Sequence, residues 1–326
     1  MNSRFSIIVP LYNKAPYVRR ALESIISQTI KDWECIIVDD GSTDESLNIV
    51  QEIKNKESRA EGIHIISQAN AGVAVARNNG VAASHGEYVC FLDADDWWEP
   101  TFLEEMDKLI TEYPDAGIYA SNYIYYKPGK THVALSLPRG YMDYPKAYYE
   151  QGAMPVTSIT TCMPRKVFDE MGGFPLGIKL GEDFLLWAKT TVHYPAAFCE
   201  KPLAYYNNDV PPSLRATRNL HAPEYHMLFL MEPLEAEIAQ LPDASLRADW
   251  KALIDKLRVS GLMDYWLSDG YHDAAASELA KVDWGKQSKR AKAQYEKPIW
   301  ILKTKKRFMQ IGSYWKQKLI RLYNSQ

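Results

Sequence analysis

Two aspartates, Asp93 and Asp95, stand one residue apart directly after the apolar run at residues 88–92. In an extended segment, residues two apart project from the same face, so both carboxylates can converge on one point. Neighbouring carboxylates repel each other unless a positive charge lies between them. The spacing therefore predicts a site for a hard divalent cation, held by one or two carboxylates and completed by the phosphates of a substrate. The alternative is that Asp95 or Asp96 caps the helix that begins near Thr101.

A second pair of acids, Asp39 and Asp40, ends another apolar run and is followed by the turn sequence Gly-Ser-Thr-Asp. The turn can cap the next helix, which accounts for its own four residues. It does not account for two acids at the tip of a buried strand. Carboxylates at such a place are suited to accept hydrogen bonds from a nucleobase N–H or a ribose hydroxyl, and we predict that role for them.

A single arginine, Arg77, lies in a helical segment that follows Asn70-Ala-Gly72. The fork of donors on a guanidinium group suits a diphosphate or the edge of a base. We expect its helix to lie beside the loops that carry the acids, so that Arg77 can reach the same ligand. An ordinary surface arginine is the alternative.

The elements that must position these residues are strands and helices in alternation. Four apolar runs rich in isoleucine and valine, at residues 5–11, 35–39, 63–67 and 88–92, alternate with helical patterns at residues 17–28, 44–55 and 74–84. Continuous apolar strands separated by helices predict an α/β fold with a parallel sheet covered on both faces. Ligands of such sheets bind at the carboxyl ends of the strands, which is where both acidic pairs stand.

The pattern changes in the second half of the chain. A helix at residues 101–112 leads to a tyrosine-rich stretch, and a strand is expected at residues 158–163. From about residue 211, apolar residues recur at three- and four-residue spacing, which predicts helices at residues 225–241 and 246–267. Four tyrosines, Tyr141, Tyr144, Tyr148 and Tyr149, either stack on the sugar faces of a glycan or pack together in a lobe.

Six short motifs follow one another along the chain. They are Ser6-Ile-Ile-Val-Pro-Leu-Tyr-Asn13, Val38-Asp-Asp-Gly-Ser-Thr-Asp44, Asn70-Ala-Gly72, Ala76-Arg-Asn78, Phe91-Leu-Asp-Ala-Asp-Asp96 and Gly181-Glu-Asp183. In this order and spacing they resemble the motifs of the family 2 glycosyltransferases, over about residues 3–210. The resemblance implies a GT-A fold, in which a Rossmann-like, mixed and mainly parallel sheet is flanked by helices. It also implies inverting transfer of a sugar from a nucleotide-diphosphate donor to a hydroxyl group.

The resemblance assigns the nucleotide site residue by residue. Pro10, Tyr12 and Asp39 would line the pocket for the base and the ribose. Asp40 would lie near that pocket, and Arg77 would reach the base or a phosphate. A UDP-sugar is the expected donor, and a glycan or lipid-linked oligosaccharide of surface polysaccharide biosynthesis is the expected acceptor.

The resemblance also assigns the reacting groups. Asp95 would bind Mn²⁺ or Mg²⁺ directly, and Asp93 would contact the ribose or a metal-bound water. Asp183 would be the catalytic base that takes the proton of the acceptor hydroxyl while the metal neutralises the leaving diphosphate. Relatives carry a metal-binding histidine after the segment that ends at Tyr206, whereas this chain reads Asn-Asn-Asp there. Asp209 is the candidate replacement, since oxygen donors suit both ions.

Three regions are predicted from these patterns. Residues 1–210 would form the catalytic domain, with a nucleotide-sugar half at 1–100 and an acceptor half at 101–210. Residues 211–285 would be a helical extension, and residues 286–326 a basic amphipathic tail that holds twelve lysines and arginines but one acid. Segment 298–326 would place Phe308, Ile311, Trp315, Leu319 and Leu322 on one face, either to bind an anionic membrane surface or to pack on its own domain.

Composition limits the remaining possibilities. With 326 residues, of which 46% are hydrophobic and 24% charged, the chain is long enough to bury a sizeable core and is not a disordered protein. It has no apolar run of about 18–20 residues, so neither a signal peptide nor a membrane span is expected. Its four cysteines form no CxxC pair, which favours a reducing compartment. We expect a cytoplasmic location, with peripheral contact to the inner membrane.

Other functions are less consistent with the sequence. No GxGxxG follows a strand, which argues against a dinucleotide-binding dehydrogenase. A nucleotidyltransferase would show a loop rich in glycine and arginine after its first strand, where this chain reads Pro-Leu-Tyr-Asn-Lys. A binding protein that keeps the fold without turnover is the other alternative. Nucleic acid is not an expected partner, because no recognition motif accompanies the basic tail.

Overall fold

The computed structural model describes residues 3–57, 60–211 and 220–304. The chain divides into two compact units, one that ends at Trp250 and one that begins at Lys251. The domain boundaries predicted at residues 210 and 285 stay predictions. The face predicted for the tail, with Phe308, Ile311, Trp315, Leu319 and Leu322, lies outside the described residues.

The first hundred residues build the parallel half of one sheet. Its strands are β1 (Phe5–Leu11), β2 (Trp33–Asp39), β3 (Ile63–Ser67) and β4 (Tyr88–Phe91), joined by helices α1 (Val18–Ile26), α2 (Ser46–Lys56) and α3 (Val73–Ala82). The strands lie in the order β3-β2-β1-β4, and each pair is parallel. Strand β2 is buried along its whole length, as the continuous apolar run predicts.

The second half extends the same sheet with mixed pairing. Its strands are β5 (Trp97–Trp98), β6 (Ile118–Tyr126), β7 (His132–Val133), β8 (Gly140–Met142), β9 (Thr161–Pro164) and β10 (Ala196–Asn207). Strand β9 lies antiparallel between β4 and β6, and β10 is parallel to β6. Strands β5 and β8 pair antiparallel with β10, and β7 pairs with β6. The predicted mixed and mainly parallel sheet is therefore present.

Helices cover the sheet and form the C-terminal part of the chain. They are α4 (Phe102–Glu112), α5 (Tyr144–Gln151), α6 (Arg165–Met171), α7 (Glu182–His193), α8 (Glu232–Ala239), α9 (Ala244–Gly261), α10 (Met263–Trp266), α11 (His272–Ala280) and α12 (Lys289–Tyr295). Helix α3 lies close against β1, since a side chain at Gly80 would collide with Ile8. Among the described residues, no helix is both long enough and apolar enough to cross a membrane.

Two predicted helices have different bounds in the structure. The helix predicted at residues 225–241 begins only at Glu232, because the preceding residues form two short 3-10 turns and His226 pairs with Leu180. The helix predicted at residues 246–267 is divided into α9 and α10, and α9 ends at Gly261, a residue type that favours helix ends.

Two of the four tyrosines predicted either to stack on sugars or to pack in a lobe make packing contacts within the fold. Tyr144 is buried and packs against Trp250, and Tyr148 packs against Phe184. Tyr141 and Tyr149 are the exposed members, and none of the four is among the residues that line the cavity described below.

Candidate active site

A cavity of about 470 Å³ opens beside the carboxyl ends of β1 and β4 and the start of α7. Most of the predicted site residues line it: Pro10, Tyr12, Asp40, Arg77, Asp93, Asp95 and Asp183. Asp39 and Asp209 are predicted site residues that are not among its lining residues. The structure therefore brings together side chains that are up to 173 positions apart in the chain, from Pro10 to Asp183.

Five carboxylates in the cavity wall form what we call the acidic cluster: Asp93, Asp95, Asp96, Glu182 and Asp183. The first three follow β4, and the other two begin α7. Burial raises the pKa of Asp95, and repulsion by Asp93 adds to that effect while Lys14 opposes it. Burial likewise raises the pKa of Asp183, against the effect of Arg77. Asp95 and Asp183 therefore bind protons more tightly than free carboxylates do.

Arg77 joins the two halves of the acidic cluster. Its Nη2 donates to Oδ1 of Asp93 at 2.7 Å, and its Nη1 donates to Oε1 of Glu182 at 3.0 Å. The guanidinium is buried and lies 5.1 Å from the ring centre of Phe174. Burial lowers the pKa of Arg77, but the neighbouring carboxylates outweigh burial and raise it. Arg77 is thus a permanent cation that orients carboxylates, and its predicted contact with a nucleotide stays a prediction.

The two acids after β2 occupy different environments. Asp40 accepts hydrogen bonds from Gln68 Nε2 and from the backbone N–H groups of Ala71 and Gly72, at 2.8 to 2.9 Å. It therefore holds the loop that leads into α3. Asp39 is buried and accepts from the backbone N–H of Ser42 at 3.1 Å. The predicted roles of both acids toward a nucleotide stay predictions.

The alternative that Asp95 or Asp96 caps a helix is wrong. Helix α4 has Thr101 at its N-cap, where no side chain makes a capping hydrogen bond. Asp95 instead pairs with Lys14, and Asp96 accepts from the backbone N–H of Asn207 at 2.7 Å. These contacts attach the loop after β4 to the ends of two other strands.

Asp183 lies in the first turn of α7, where the helix dipole favours a negative charge. Its Oδ1 accepts from the backbone N–H of Phe184 at 2.7 Å. The preceding residue, Glu182, is buried, and this burial and repulsion by Asp183 raise its pKa to about 7 although Arg77 opposes the shift. A carboxylate with a raised pKa is better suited to accept a proton near neutral pH than an ordinary one.

A segment beyond the six motifs holds the start of α7 in place. The backbone N–H of Lys179 donates to Tyr225 O at 2.8 Å, and that of Met227 donates to Leu180 O at 3.1 Å. Gly181 has a φ of +87° and lies so close to Met227 that a side chain would collide with it. Sequence reasoning missed this contact, because residues 223–229 were assigned to a helical extension.

Residues 6–172 match the sequence profile described as Glycosyl transferase family 2, which is just over half of the chain. This chain belongs to glycosyltransferase family 2. The resemblance inferred from the six motifs is therefore confirmed.

Similar proteins agree with the family assignment. The chain is 43% identical over 123 residues to the glycosyltransferase GlyA of Streptococcus pneumoniae, and the match covers 38% of this chain and 17% of GlyA. It is 38% identical over 146 residues to EpsH of Bacillus subtilis, which is 44% of this chain and 41% of EpsH. The chain thus matches less than half the length of either relative.

A solved structure supports the fold. Staphylococcus aureus TarS in complex with UDP-GlcNAc superposes with a TM-score of 0.72 at 19% identity, over 86% of this chain and 80% of the TarS chain. This likeness confirms the predicted GT-A fold class.

The donor set suits a hard divalent cation that takes further ligands from a substrate. Within the described residues, no three His, Cys, Asp or Glu side chains are arranged to hold a metal by themselves. Asp93 and Asp95 offer carboxylate oxygens to the same cavity, and a cation bound by two carboxylates completes its shell with phosphate and water. Mn²⁺ or Mg²⁺ in this glycosyltransferase would therefore be held by Asp93 and Asp95 together with a diphosphate.

Among the described residues, the Asp209 side chain has no contact that supports a metal-binding role. Its side chain is exposed, and its backbone N–H donates to Oδ1 of Asn207 at 3.0 Å. Asn207 lines the cavity instead, and its Nδ2 donates to the backbone oxygen of Asp95 at 3.1 Å. The role of Asp209 stays a prediction, and Asn207 is a cavity residue that sequence reasoning missed.

Proposed function

We propose that this family 2 glycosyltransferase transfers a sugar from a UDP-linked donor to a hydroxyl of a glycan, with inversion at the anomeric carbon. The observation that carries the proposal is one cavity lined both by the carboxylates after β4 and by Asp183 at the start of α7. The two groups suit the two ends of a displacement, one at the leaving diphosphate and the other at the attacking hydroxyl.

The donor would lie along the strand ends. Tyr12 is 46% exposed and lines the cavity together with Pro10, so its ring is available to a nucleobase. A divalent cation held by Asp93 and Asp95 would supply positive charge to the leaving diphosphate. The UDP-GlcNAc in TarS, whose fold this chain shares, supports a UDP-linked donor.

The reaction would form one bond and break one. Asp183 accepts the proton of the acceptor hydroxyl, and the hydroxyl oxygen forms a bond to the anomeric carbon. The bond between that carbon and the diphosphate oxygen breaks, and UDP leaves. Because the oxygen attacks from the face opposite the diphosphate, the product has the inverted configuration. Arg77 keeps Glu182 and Asp93 in place during this step through its two hydrogen bonds.

A row of aromatic rings supports a glycan as the acceptor. Tyr206 on β10 is directly opposite Tyr125 on β6, which is directly opposite His132 on β7. The ring centres lie 5.7 Å and 5.0 Å apart, and side chains of directly paired residues share one face of the sheet. Tyr206 lines the cavity and is 37% exposed, and His132 is exposed. The row thus runs from the cavity to the surface, and aromatic faces with polar edges suit pyranose rings.

Two further parts of the proposal rest on the sequence. A cytoplasmic location with peripheral membrane contact would bring the enzyme to lipid-linked acceptors. Segment 298–326 is the predicted contact with an anionic membrane. A role in polysaccharide biosynthesis agrees with the family assignment and with an extended glycan acceptor.

The test is release of UDP, GDP or dTDP from a panel of nucleotide sugars with Mn²⁺, with and without EDTA. We expect release from a UDP-sugar that EDTA abolishes and that Asp95→Asn lowers about 10²-fold or more. Asp115→Asn, which changes an exposed acid outside the cavity, is the matched control. UDP binding without release would favour a binding protein, and release from GDP-sugars alone would overturn the UDP assignment.

The acceptor is tested in the same assay with oligosaccharides added. Tyr125→Ala should raise the KM for an accepted oligosaccharide about tenfold, because a stacked ring is worth on the order of 1 kcal/mol. It should leave UDP release into water unchanged. Tyr141→Ala, which removes an exposed tyrosine on β8, is the control. Equal effects of both variants would remove the aromatic row from the proposal.

A further inference from the structure

Lys14 is a cation of the cavity that the proposed mechanism does not use. Its Nζ lies 2.5 Å from Oδ2 of Asp95, and the two side chains are 18% and 19% exposed. The residues are 81 positions apart in the chain. The ammonium group of Lys14 thus contacts the carboxylate that is best placed to bind a divalent cation.

The loop that carries Lys14 has an unusual backbone. Asn13 has a φ of +51°, and among the described residues it alone has a positive φ without being glycine. Such a conformation costs on the order of 1 kcal/mol and persists where the surroundings impose it. The surroundings here are the turn after β2: Asn13 Oδ1 accepts from the backbone N–H of Thr43 at 2.8 Å, and Ser42 Oγ accepts from the N–H of Asn13 at 3.2 Å.

The end of the same turn and the first residue of α2 hold the next two residues. Ser46 Oγ accepts from the backbone N–H of Lys14 at 2.7 Å, and Asp44 Oδ2 accepts from that of Ala15 at 3.0 Å. From the sequence, the Gly-Ser-Thr-Asp turn was expected to cap a helix. In the structure Asp44 Oδ1 does accept from the backbone N–H of Ser46, the first residue of α2, at 3.0 Å. The side chains of the turn and of Ser46 also fix the backbone on both sides of Lys14, and this directs the lysine side chain toward Asp95.

Because Lys14 is positively charged, it competes with a divalent cation for the carboxylate of Asp95. Arg77 is engaged by Asp93 and Glu182, whereas Lys14 pairs with Asp95. A cation bound to the same carboxylate as the ammonium group would be repelled by it at close range. Lysine is a compact charge on a flexible stem, so it can turn to a second anion without moving the loop.

We propose that Lys14 is the exchangeable counterion of Asp95. Its ammonium group neutralises Asp95 while no divalent cation is bound, and it pairs with the diphosphate of the donor once a cation occupies Asp95. This inference rests on the proposed nucleotide-diphosphate donor. It makes Lys14 a positioning residue that weakens cation binding in the absence of nucleotide and strengthens nucleotide binding in the presence of the cation.

The first test measures binding of Mn²⁺ alone, from the electron paramagnetic resonance signal of free Mn²⁺, to the full chain without nucleotide. We expect Lys14→Met and Lys14→Gln to bind Mn²⁺ about tenfold more tightly than the wild type, because one partly buried positive charge is removed. Lys179→Met, which removes another lysine of the same cavity, should leave the affinity within about twofold, because Lys179 lies over the ring of Tyr225. Unchanged or weaker Mn²⁺ binding in both Lys14 variants overturns the competition.

The second test measures UDP binding by calorimetry at saturating Mn²⁺. Both Lys14 variants should bind UDP about tenfold more weakly, since they lose a charge-assisted contact to the diphosphate. UDP binding equal to that of the wild type would overturn the second role of Lys14. Failure of the wild type to bind UDP would count against the proposed donor, whereas the Mn²⁺ titration would still decide whether Lys14 competes for Asp95.

Discussion

Two carboxylate-rich regions of this chain differ in how their charge is balanced. At Glu105 on α4, one buried carboxylate contacts three cations: Lys108 and Lys201 at 2.9 Å and Arg139 at 3.2 Å. Burial alone would raise the pKa of Glu105, but hydrogen bonds from Lys201 and Lys108 outweigh burial and lower it to about 2. Of the five carboxylates of the acidic cluster, three form ion pairs with described residues: Asp93 and Glu182 pair with Arg77, and Asp95 pairs with Lys14.

The surroundings of Glu105 have the properties of a structural ion cluster, whereas the acidic cluster has those of a binding site. Glu105 is contacted by three cations at once, so its negative charge is neutralised within the protein and needs no ligand. The acidic cluster keeps an excess of negative charge, and burial and mutual repulsion raise the pKa values of four of its members, Asp95, Asp96, Glu182 and Asp183. Such a cluster is stabilised when a cationic ligand arrives, which is the property expected of a functional site.

The largest expected difference is in catalysis. Asp183→Asn should lower sugar transfer about 10³-fold, because it removes the proposed base. Glu105→Gln should change the rate of the folded enzyme by less than about threefold, since Glu105 is not among the residues that line the cavity. The measurement is kcat/KM with the donor that the panel identifies. A large loss in Glu105→Gln with its structure intact would show that the two clusters are not separate in function.

Stability should show the reverse of catalysis: Glu105→Gln should have the larger effect and Asp183→Asn the smaller one. Glu105→Gln should lower the free energy of unfolding by about 2 kcal/mol, between the values for buried and exposed ion pairs, because its partners are partly exposed. Asp183→Asn should leave stability unchanged or raise it by less than about 1 kcal/mol, since it removes one of several repelling charges. Urea unfolding at pH 7 measures both. Similar losses of unfolding free energy in the two variants would mean that the negative charge of the acidic cluster is already neutralised within the protein.

The smallest expected effect is in the pH dependence of unfolding. The pKa of Glu105 is lowered from 4.5 to about 2, so its contribution is present above pH 4.5 and is lost as the pH falls toward 2. The pKa of Glu182 is raised from 4.5 to about 7, so stability falls as the pH rises between those values. In a plot of the free energy of unfolding against pH, Glu105→Gln should reduce the slope below pH 4.5. Glu182→Gln should reduce the slope between pH 4.5 and 7. If Glu105→Gln left the slope below pH 4.5 unchanged, this would contradict the lowered pKa of Glu105.

Much of the first half of the fold could be predicted from local pattern. Strands β1 and β3 have the bounds that the apolar runs predict, and helix α3 lies within one residue of its predicted start. Buried parallel strands carry their signal as a continuous apolar run, which needs no knowledge of the partner strand. The antiparallel strand β9 between β4 and β6 has no such signal of position, because its neighbours come from distant parts of the chain.

In the candidate site, too, some features could be predicted from local sequence and others depend on contacts between distant residues. The acids at strand ends and the acid pair that begins α7 could be found in the sequence, because the motif order carries the family resemblance. The pairing of Lys14 with Asp95 and the bridge from Arg77 to Glu182 could not, since they join residues 81 and 105 positions apart. Nor could the contact of residues 179–181 with residues 225–227, because its backbone hydrogen bonds leave no motif in the sequence.

The sequence by itself determined the family, the strand–helix alternation and which acids stand at strand ends, because these depend on residue type and short-range spacing. Only the tertiary structure decided which cation faces which carboxylate, and that Asn207 rather than Asp209 is among the residues that line the cavity. Electrostatic pairing depends on distances across the folded chain, and those distances are set by sheet order and loop geometry rather than by position in the sequence.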